Sequence, residues 1–374
     1  MSRLEIQNIV GCSPRYLVPH PLAVNQGPVS ASGIAPGFTP IDGFWHPDGV
    51  HLVLMAEGAS AVYRWSSRDR NFVRHSTFAG GRRACRLHPA GDRVAALGPN
   101  VLATFVFDPV AGTLAADAVL TDSVRFSHPC NLSWDHTGEF IITANDNSAA
   151  AATKLAVIRY VRTPPSLTVV AEWIGVFGEN RLSVDWNHRH DVIMAGGTQL
   201  GQWLLTFDRV TNTLTRVINL TGTWREFAGA WDPTGEFYAH CAHDAIGLST
   251  YRAFRYTPGP HALTHVSSIT PPNRGGGAPG AWIESLRPFG LVTWDWESRT
   301  VFFNTGVGVN SRHIPARFDP ATLSLSLLPM FPKTVTTNIS KYLLHPRGSN
   351  LVELQRRNVE PAVHVVPWSS YVNY

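Results

Sequence analysis

Trp45-His46-Pro47-Asp48-Gly49, followed by the apolar run His51-Leu52-Val53-Leu54, reads as two strands joined by a tight turn. Proline presets φ at the first corner of such a turn and glycine supplies the positive φ at its last. The element recurs along the chain. Its further copies are Leu87-His88-Pro89-Ala90-Gly91, Trp134-Asp135-His136-Thr137-Gly138, Trp186-Asn187-His188-Arg189-His190, Trp231-Asp232-Pro233-Thr234-Gly235, Trp294-Asp295-Trp296-Glu297-Ser298 and Leu344-His345-Pro346-Arg347-Gly348.

Each copy is followed by a strand-like run, and in six of the seven a second hairpin follows in which an apolar residue comes seven positions after an aromatic one. The pairs are Trp65 with Phe72, Phe107 with Leu114, Tyr160 with Leu167, Phe207 with Leu214, Tyr256 with Leu263 and Phe318 with Leu325. Turns such as Asp108-Pro109-Val110-Ala111-Gly112 place an Asp where its carboxylate bonds amides further along. Two hairpins make four strands. From His46 to His345 there are 299 residues in six intervals, a unit of about 50 residues that matches the period of a propeller blade.

A four-stranded sheet cannot bury both faces alone, so the units stack around an axis and seven of them close a ring. The expected fold is all-β, a seven-bladed β-propeller with four antiparallel strands per blade. Residues 1–40 read as an N-terminal arm, with Leu4–Val10 expected to supply a closing strand to the last blade, and 41–374 as the propeller. A parallel α/β alternative needs long helical segments, whereas the stretches between repeats are short and rich in Gly, Pro and Thr.

Composition narrows the function classes. Hydrophobic residues make up 44% and charged residues 16% of the 374, which places the chain among well-packed globular proteins. Only three of the 31 basic residues are lysines, and the arginines are scattered, without the basic runs of nucleic-acid modules; no specific nucleic-acid binding is expected. The beginning of the chain has no apolar leader and no stretch is long enough to span a bilayer, so a non-secreted protein without membrane insertion, cytoplasmic or in a virion, is expected. The cysteines are widely spaced, with neither zinc nor disulfide spacing.

These units resemble WD-repeat-like propeller blades, Trp45 to Leu54 most closely, and the second hairpin Phe207-Asp208-Arg209-Val210-Thr211-Asn212-Thr213-Leu214 is similar to that of the lactonase-like seven-bladed propellers. The resemblance implies architecture; propellers serve enzymes and scaffolds alike. A regular Gly-His at the unit start and a Trp-Asp at the end of the third strand, both features of signalling WD repeats, are missing.

In propellers of this kind, loops between blades and loops between second and third strands surround one mouth of the channel. The first set carries Arg82, Arg83, Arg125, Arg181, Arg225 and Arg274, a candidate anion-attracting mouth. The plainer reading pairs each with a neighbouring acid as an inter-blade bridge. The second set carries Glu57, Asn145, Asp146, His243, Asp244 and Asn304. Convergence of Glu57, Asn145 and Asp146 would bind one Ca or other divalent ion and activate water on a lactone; the plainer reading assigns them to loop conformation. His46, His88, His136, His188 and His345 lie in turns of separate blades, too far apart to share one ion, and read as turn residues.

With no nucleophile elbow and no phosphate-cradling loop, the leading expectation is a non-enzymatic propeller without cofactor. It would be a scaffold or binding subunit whose partners are protein subunits of an assembly, for example a virus particle such as a bacteriophage tail or head. The alternatives are a lactonase-like metal-dependent hydrolase acting at the channel mouth, and a glycan-binding propeller.

Overall fold

The computed structural model describes residues 15–19, 29–30, 40–56, 59–66, 68–69, 71–78, 82–145, 153–174, 183–197, 201–220, 225–243, 249–270, 292–297, 299–304, 313–328, 338–346, 350–356 and 363–373, with the backbone alone along parts of these. All its regular elements are strands. Two short ones, β1 (Arg15–Pro19) and β2 (Val29–Ser30), precede the repeats. Blade 1 is β3 (Pro40–Trp45), β4 (His51–Ala56), β5 (Ser60–Ser66) and β6 (Asn71–Phe78); blade 2 is β7 (Ala84–Leu87), β8 (Arg93–Gly98), β9 (Val101–Asp108) and β10 (Thr113–Thr121). Blade 3 is β11 (Pro129–Trp134), β12 (Phe140–Asn145), β13 (Thr153–Arg162) and β14 (Pro165–Ile174); blade 4 is β15 (Ser183–Trp186), β16 (Val192–Gly197), β17 (Gly201–Asp208) and β18 (Thr213–Leu220). Blade 5 is β19 (Arg225–Trp231), β20 (Phe237–His243), β21 (Ser249–Thr257) and β22 (Ala262–Ile269); blade 6 is β23 (Val292–Trp294), β24 (Thr300–Asn304), β25 (His313–Asp319) and β26 (Ser324–Leu327). Blade 7 is β27 (Asn338–Leu344), β28 (Asn350–Arg356) and β29 (Val363–Asn373), with β1 and β2 paired along the outer edge of β29.

The chain is thus a seven-bladed β-propeller of antiparallel sheets, six of them four-stranded and the last five-stranded because both β1 and β2 join it. Arg15 pairs with Asn373 and Pro19 with Trp368, while Val29 pairs with Val365. Leu4–Val10 lies outside the described residues.

The intervals in the sequence are cross-strand partnerships. In the first hairpins Trp45 faces Leu52, Trp134 faces Ile141 and Trp186 faces Ile193. In the second, Trp65 faces Phe72, Phe207 faces Leu214 and Tyr256 faces Leu263. The Asp at the second turn caps it: Asp108 Oδ1 accepts from the Val110 and Ala111 amides at 2.8 and 3.0 Å, and Asp208 Oδ1 from Val210 and Thr211 at 2.8 and 3.2 Å.

First strands of successive blades lie against one another, forming the inner ring. The core sits between blades. Trp186 is fully buried, edge-on to Phe207 at 5.4 Å and near Phe140 of blade 3, and Tyr251 of blade 5 stacks flat on Phe303 of blade 6 at 4.2 Å. Burying one such aromatic removes some 150–250 Å² from water, about 4–6 kcal/mol gross at 25 cal/mol per Å².

Two repeated hydrogen bonds fasten blade to blade and explain the residue types of the motif. The anchor Trp donates its indole N–H to a first-strand carbonyl of the preceding blade: Trp45 to Leu343 O at 3.2 Å, Trp134 to Arg86 O at 3.2 Å, Trp231 to Asp185 O at 3.2 Å and Trp294 to Ala230 O at 2.9 Å. The residue after the anchor reaches forward to a turn glycine of the next blade: His46 Nε2 to Gly91 O (2.9 Å), His88 Nε2 to Gly138 O (3.2 Å), Asn187 Nδ2 to Gly235 O (2.9 Å) and His345 Nε2 to Gly49 O (2.8 Å). His345 and Trp45 together lock blade 7 to blade 1. His136 and His188 stand one residue later in the motif and do not make this latch; the Asp135 and Asp232 before the turn in blades 3 and 5 cap their own turns instead, through the amides of Phe140 and Phe237.

Candidate functional site at the channel wall

The first strands place a belt of polar side chains on the inner ring. Asp42 of β3 is fully buried; its Oδ2 accepts from the Cys85 amide at 3.0 Å and from Arg86 Nη1 at 2.8 Å, both on β7. Arg86 Nη1 also donates to Cys85 O at 2.7 Å, and Nη2 to Asn131 Oδ1 of β11 at 2.9 Å. Asn131 Nδ2 donates in turn to Val184 O of β15 at 3.2 Å. Ser133 Oγ donates to Asp185 Oδ1 at 3.3 Å, and Asp185 Oδ2 accepts from the Trp231 amide of β19 at 2.8 Å. The belt crosses five blades; of its charged members Asp42 is fully buried, while the Arg86 side chain is 26% exposed and Asp185 is partly exposed.

The electrostatics single out Asp185. Burial lifts its carboxyl above the usual carboxylate range, against the opposing pull of His188, the Trp231 amide, Arg86 and Ser133. Arg86, although burial works against its charge, is held protonated by Asp42 and by the Asp185 charge. A carboxylate of raised basicity within electrostatic reach of a fixed guanidinium, both partly exposed, is a pairing that suits proton abstraction from water and stabilisation of a developing oxyanion.

The channel-mouth residues marked in the sequence fall out differently. Arg125 bridges blades 2 and 3, ion-paired to Asp122 at 2.6 Å and to Glu172 of β14, which leaves it committed to the scaffold. The backbone amides of Arg82 and Arg83 bond Ala56 O and Leu97 O, holding them between blades 1 and 2 beside the turn after β4. Arg225 and His243 are opposed in the β19–β20 register; their side chains, with Arg181, Arg274, Asp244, Glu57 and Asp146, lie outside the described residues. Asn145 is 3% exposed, with Oδ1 accepting from the His128 amide at 2.8 Å and Nδ2 donating to Thr153 O at 3.3 Å. Both ends of that carboxamide are tied to backbone, so it serves as a strand-end brace and does not fit the expected metal set.

On the turn face, Asp135, His136 and Asp191 gather between blades 3 and 4, but Arg209 fills the space. Its Nη2 lies 2.6 Å from both Asp135 Oδ2 and Asp191 Oδ1, its Nε is 2.7 Å from Asp191 Oδ2, and its guanidinium covers the Phe140 ring. The cation of this cluster is an arginine.

Asp42, Arg86, Asn131, Ser133 and Asp185 were not singled out in the sequence. A signal was there: each is a polar residue one or three positions ahead of the Trp/Leu anchor, inside a strand that is otherwise apolar.

The molecule shares its propeller fold with several solved structures. Among solved structures it is similar to the periplasmic gluconolactonase of Pseudomonas aeruginosa (TM-score 0.64, 12% identity, covering 87% of this chain and 98% of that one). It is also similar to a candidate 6-phosphogluconolactonase from Bacteroides fragilis (0.62, 13%, 88% and 96%) and to the hydrazine synthase of Kuenenia stuttgartiensis (0.61, 11%, 91% and 99%). At such identities the likeness establishes the fold. Neither a protein-family model nor a curated protein matches the sequence. These neighbours correct the expectation of a non-enzymatic assembly subunit and its virus-particle form: lactonases are built on this fold, and the alternative of a lactonase-like hydrolase is the better supported. The expectation rested on the missing nucleophile elbow and phosphate-cradling loop and looked for convergence in the loops, whereas the polar belt is assembled from the first strands of successive blades.

Proposed function

We propose that the protein is a lactonase-like hydrolase acting on a sugar lactone in the central channel, with Asp185 as general base and Arg86 as oxyanion stabiliser. The observation that carries this reading is the partly exposed Asp185 carboxyl on the inner ring, held by Ser133 and the Trp231 amide, lifted by burial and within electrostatic reach of the Arg86 guanidinium. Two of the five N–H donors of Arg86 bear no bond to any described residue, and they are free for a carbonyl oxygen. Asp185 takes a proton from water as the water oxygen attacks the lactone carbonyl. Arg86 holds the oxyanion; the ring C–O bond then breaks, and the proton on Asp185 passes to the departing alkoxide. The product is the open hydroxy acid, and atoms balance as lactone plus water.

The test is turnover of a panel of γ- and δ-sugar lactones by the wild type and by Asp185→Asn, whose carboxamide oxygen still accepts the Trp231 amide. The proposal predicts wild-type turnover and a drop of about 10²–10⁴-fold in kcat with melting temperature little changed. A wild type inert on every lactone, or an Asp185→Asn variant with undiminished kcat, would overturn it.

A further inference from the structure

A second cluster on the turn face, remote from the proposed base, has a different character from the one Arg209 fills. His46, Asp48 and His51 belong to the first hairpin of blade 1, and one ligand atom from each lies within 4.8 Å of the others. Asp48 Oδ2 is 3.0 Å from His46 Nδ1 and 2.7 Å from His51 Nδ1. The shorter separation is the hydrogen bond between His51 Nδ1 and the carboxylate, and an ion held by the three atoms would take the place of its proton.

The hydrogen bonds fix the tautomer of His46. Its Nε2 faces Gly91 O at 2.9 Å, and a carbonyl only accepts, so Nε2 carries the hydrogen. Its Nδ1 accepts from the Asp48 amide at 3.3 Å and therefore presents a lone pair. The same nitrogen lies 3.0 Å from Asp48 Oδ2, which sets an imidazole nitrogen and a carboxylate oxygen side by side. An imidazole whose far N–H is held by a backbone carbonyl is also the orientation that metal-binding histidines adopt.

The residue that approaches the first turn differs from blade to blade. The residue two positions beyond the aromatic of the second hairpin is Arg209 in blade 4, which reaches Asp135 of blade 3. It is Arg162 in blade 3, which reaches Asp92 of blade 2 at 2.8 Å. In blade 2 the same position is Pro109, and the first turn of blade 1 carries two histidines, His46 and His51.

We propose that His46 Nδ1, His51 Nδ1 and Asp48 Oδ2 form a binding site for one divalent transition-metal ion. Two imidazole nitrogens and a carboxylate oxygen select Zn²⁺ or Ni²⁺ over the oxygen-preferring Ca²⁺ and Mg²⁺. The coordination sphere is completed by water, since Asp48 is 27% exposed and His46 12%. The ion sits at the ring seam: His46 is latched to blade 2 through Gly91, and Gly49 of the same turn takes the His345 latch from blade 7. Binding therefore ties the turn on which closure depends, and it is independent of the hydrolase reading.

The experiment is titration of the chelator-stripped full chain with Zn²⁺ by calorimetry and with Co²⁺ by its visible spectrum, alongside thermal melting. The variants are Asp48→Asn, whose carboxamide oxygen still caps the turn, and His51→Gln; His88→Gln, the equivalent latch without the paired ligands, is the control. The expected result is one ion per chain, a melting temperature that rises with Zn²⁺, and affinity at least about tenfold weaker in both variants but not in the control. No stoichiometric binding by the wild type, or equal affinity in Asp48→Asn and His51→Gln, overturns the proposal.

Discussion

Replacing Gly138 by alanine tests the inter-blade latch at a position where the geometry sets the size of the effect. Gly138 adopts φ +75°, and a Cβ there would stand 1.9 Å from His88 Nε2 and 2.4 Å from Cε1. The His88 ring cannot swing away freely: it is 3% exposed, lies edge-on to Trp134 at 4.9 Å and bonds Gly138 O. Gly259, at φ +86°, has no atom within 4 Å of its would-be Cβ and isolates the backbone component. Left-handed strain costs each variant about 1–2 kcal/mol. Gly138→Ala adds the overpacking and the lost latch, about 2–3 kcal/mol. At about 2.1 cal/mol/K per residue for 374 residues, the extra loss lowers the melting temperature by about 3 °C more than Gly259→Ala does. Differential scanning calorimetry with urea denaturation reads both. Equal losses in the two variants would refute the claim that the latch holds blade 2 to blade 3.

Two further outcomes follow from buried charge. Burial, reinforced by Arg252 and His265, depresses the His240 imidazole to about 3 from 6.5, so the folded ring stays neutral where the unfolded one protonates. Its contribution is whole above pH 6.5 and is lost as pH falls below it; between pH 7.5 and 5.0 that amounts to about 2 kcal/mol, which urea midpoints should show in the wild type and not in His240→Phe. Arg209→Met leaves the fully buried Asp135 without its guanidinium and should cost about 2–3 kcal/mol in a urea melt, with part regained on adding Asp135→Asn; an additive pair would contradict the ion-pair account.

The ring was legible in the sequence because each blade repeats the same local pattern. Trp45 and Leu52, or Phe207 and Leu214, are close in sequence as well as in space, and their seven-residue interval survives every change of side chain. The belt was not legible, because Arg86 meets Asp42 and Asn131 across gaps of about one blade, and nothing in a single unit marks which polar residue will find a partner in the next. The turn histidines illustrate both cases. His46, His88 and His345 share one position and one latch, as a repeat predicts. Only the fold shows that His46 also stands beside Asp48 and His51, a set whose members were passed over because histidines were compared between blades and not within one. At the channel mouth, Arg125 lost its candidacy to Glu172 for the same reason, its partner lying in the neighbouring sheet.

The most direct test of the account is the pH profile of kcat/KM for lactone hydrolysis in the wild type and in His188→Ala. The Asp185 carboxyl is lifted above its ordinary value by burial, and the charge of the exposed His188 pulls it back down. Activity should therefore rise with unit slope through a pKa above the usual carboxylate range, and the limb should move to higher pH when His188 is removed. A limb at an ordinary carboxylate pKa, or one that His188→Ala leaves in place, would contradict Asp185 as the base.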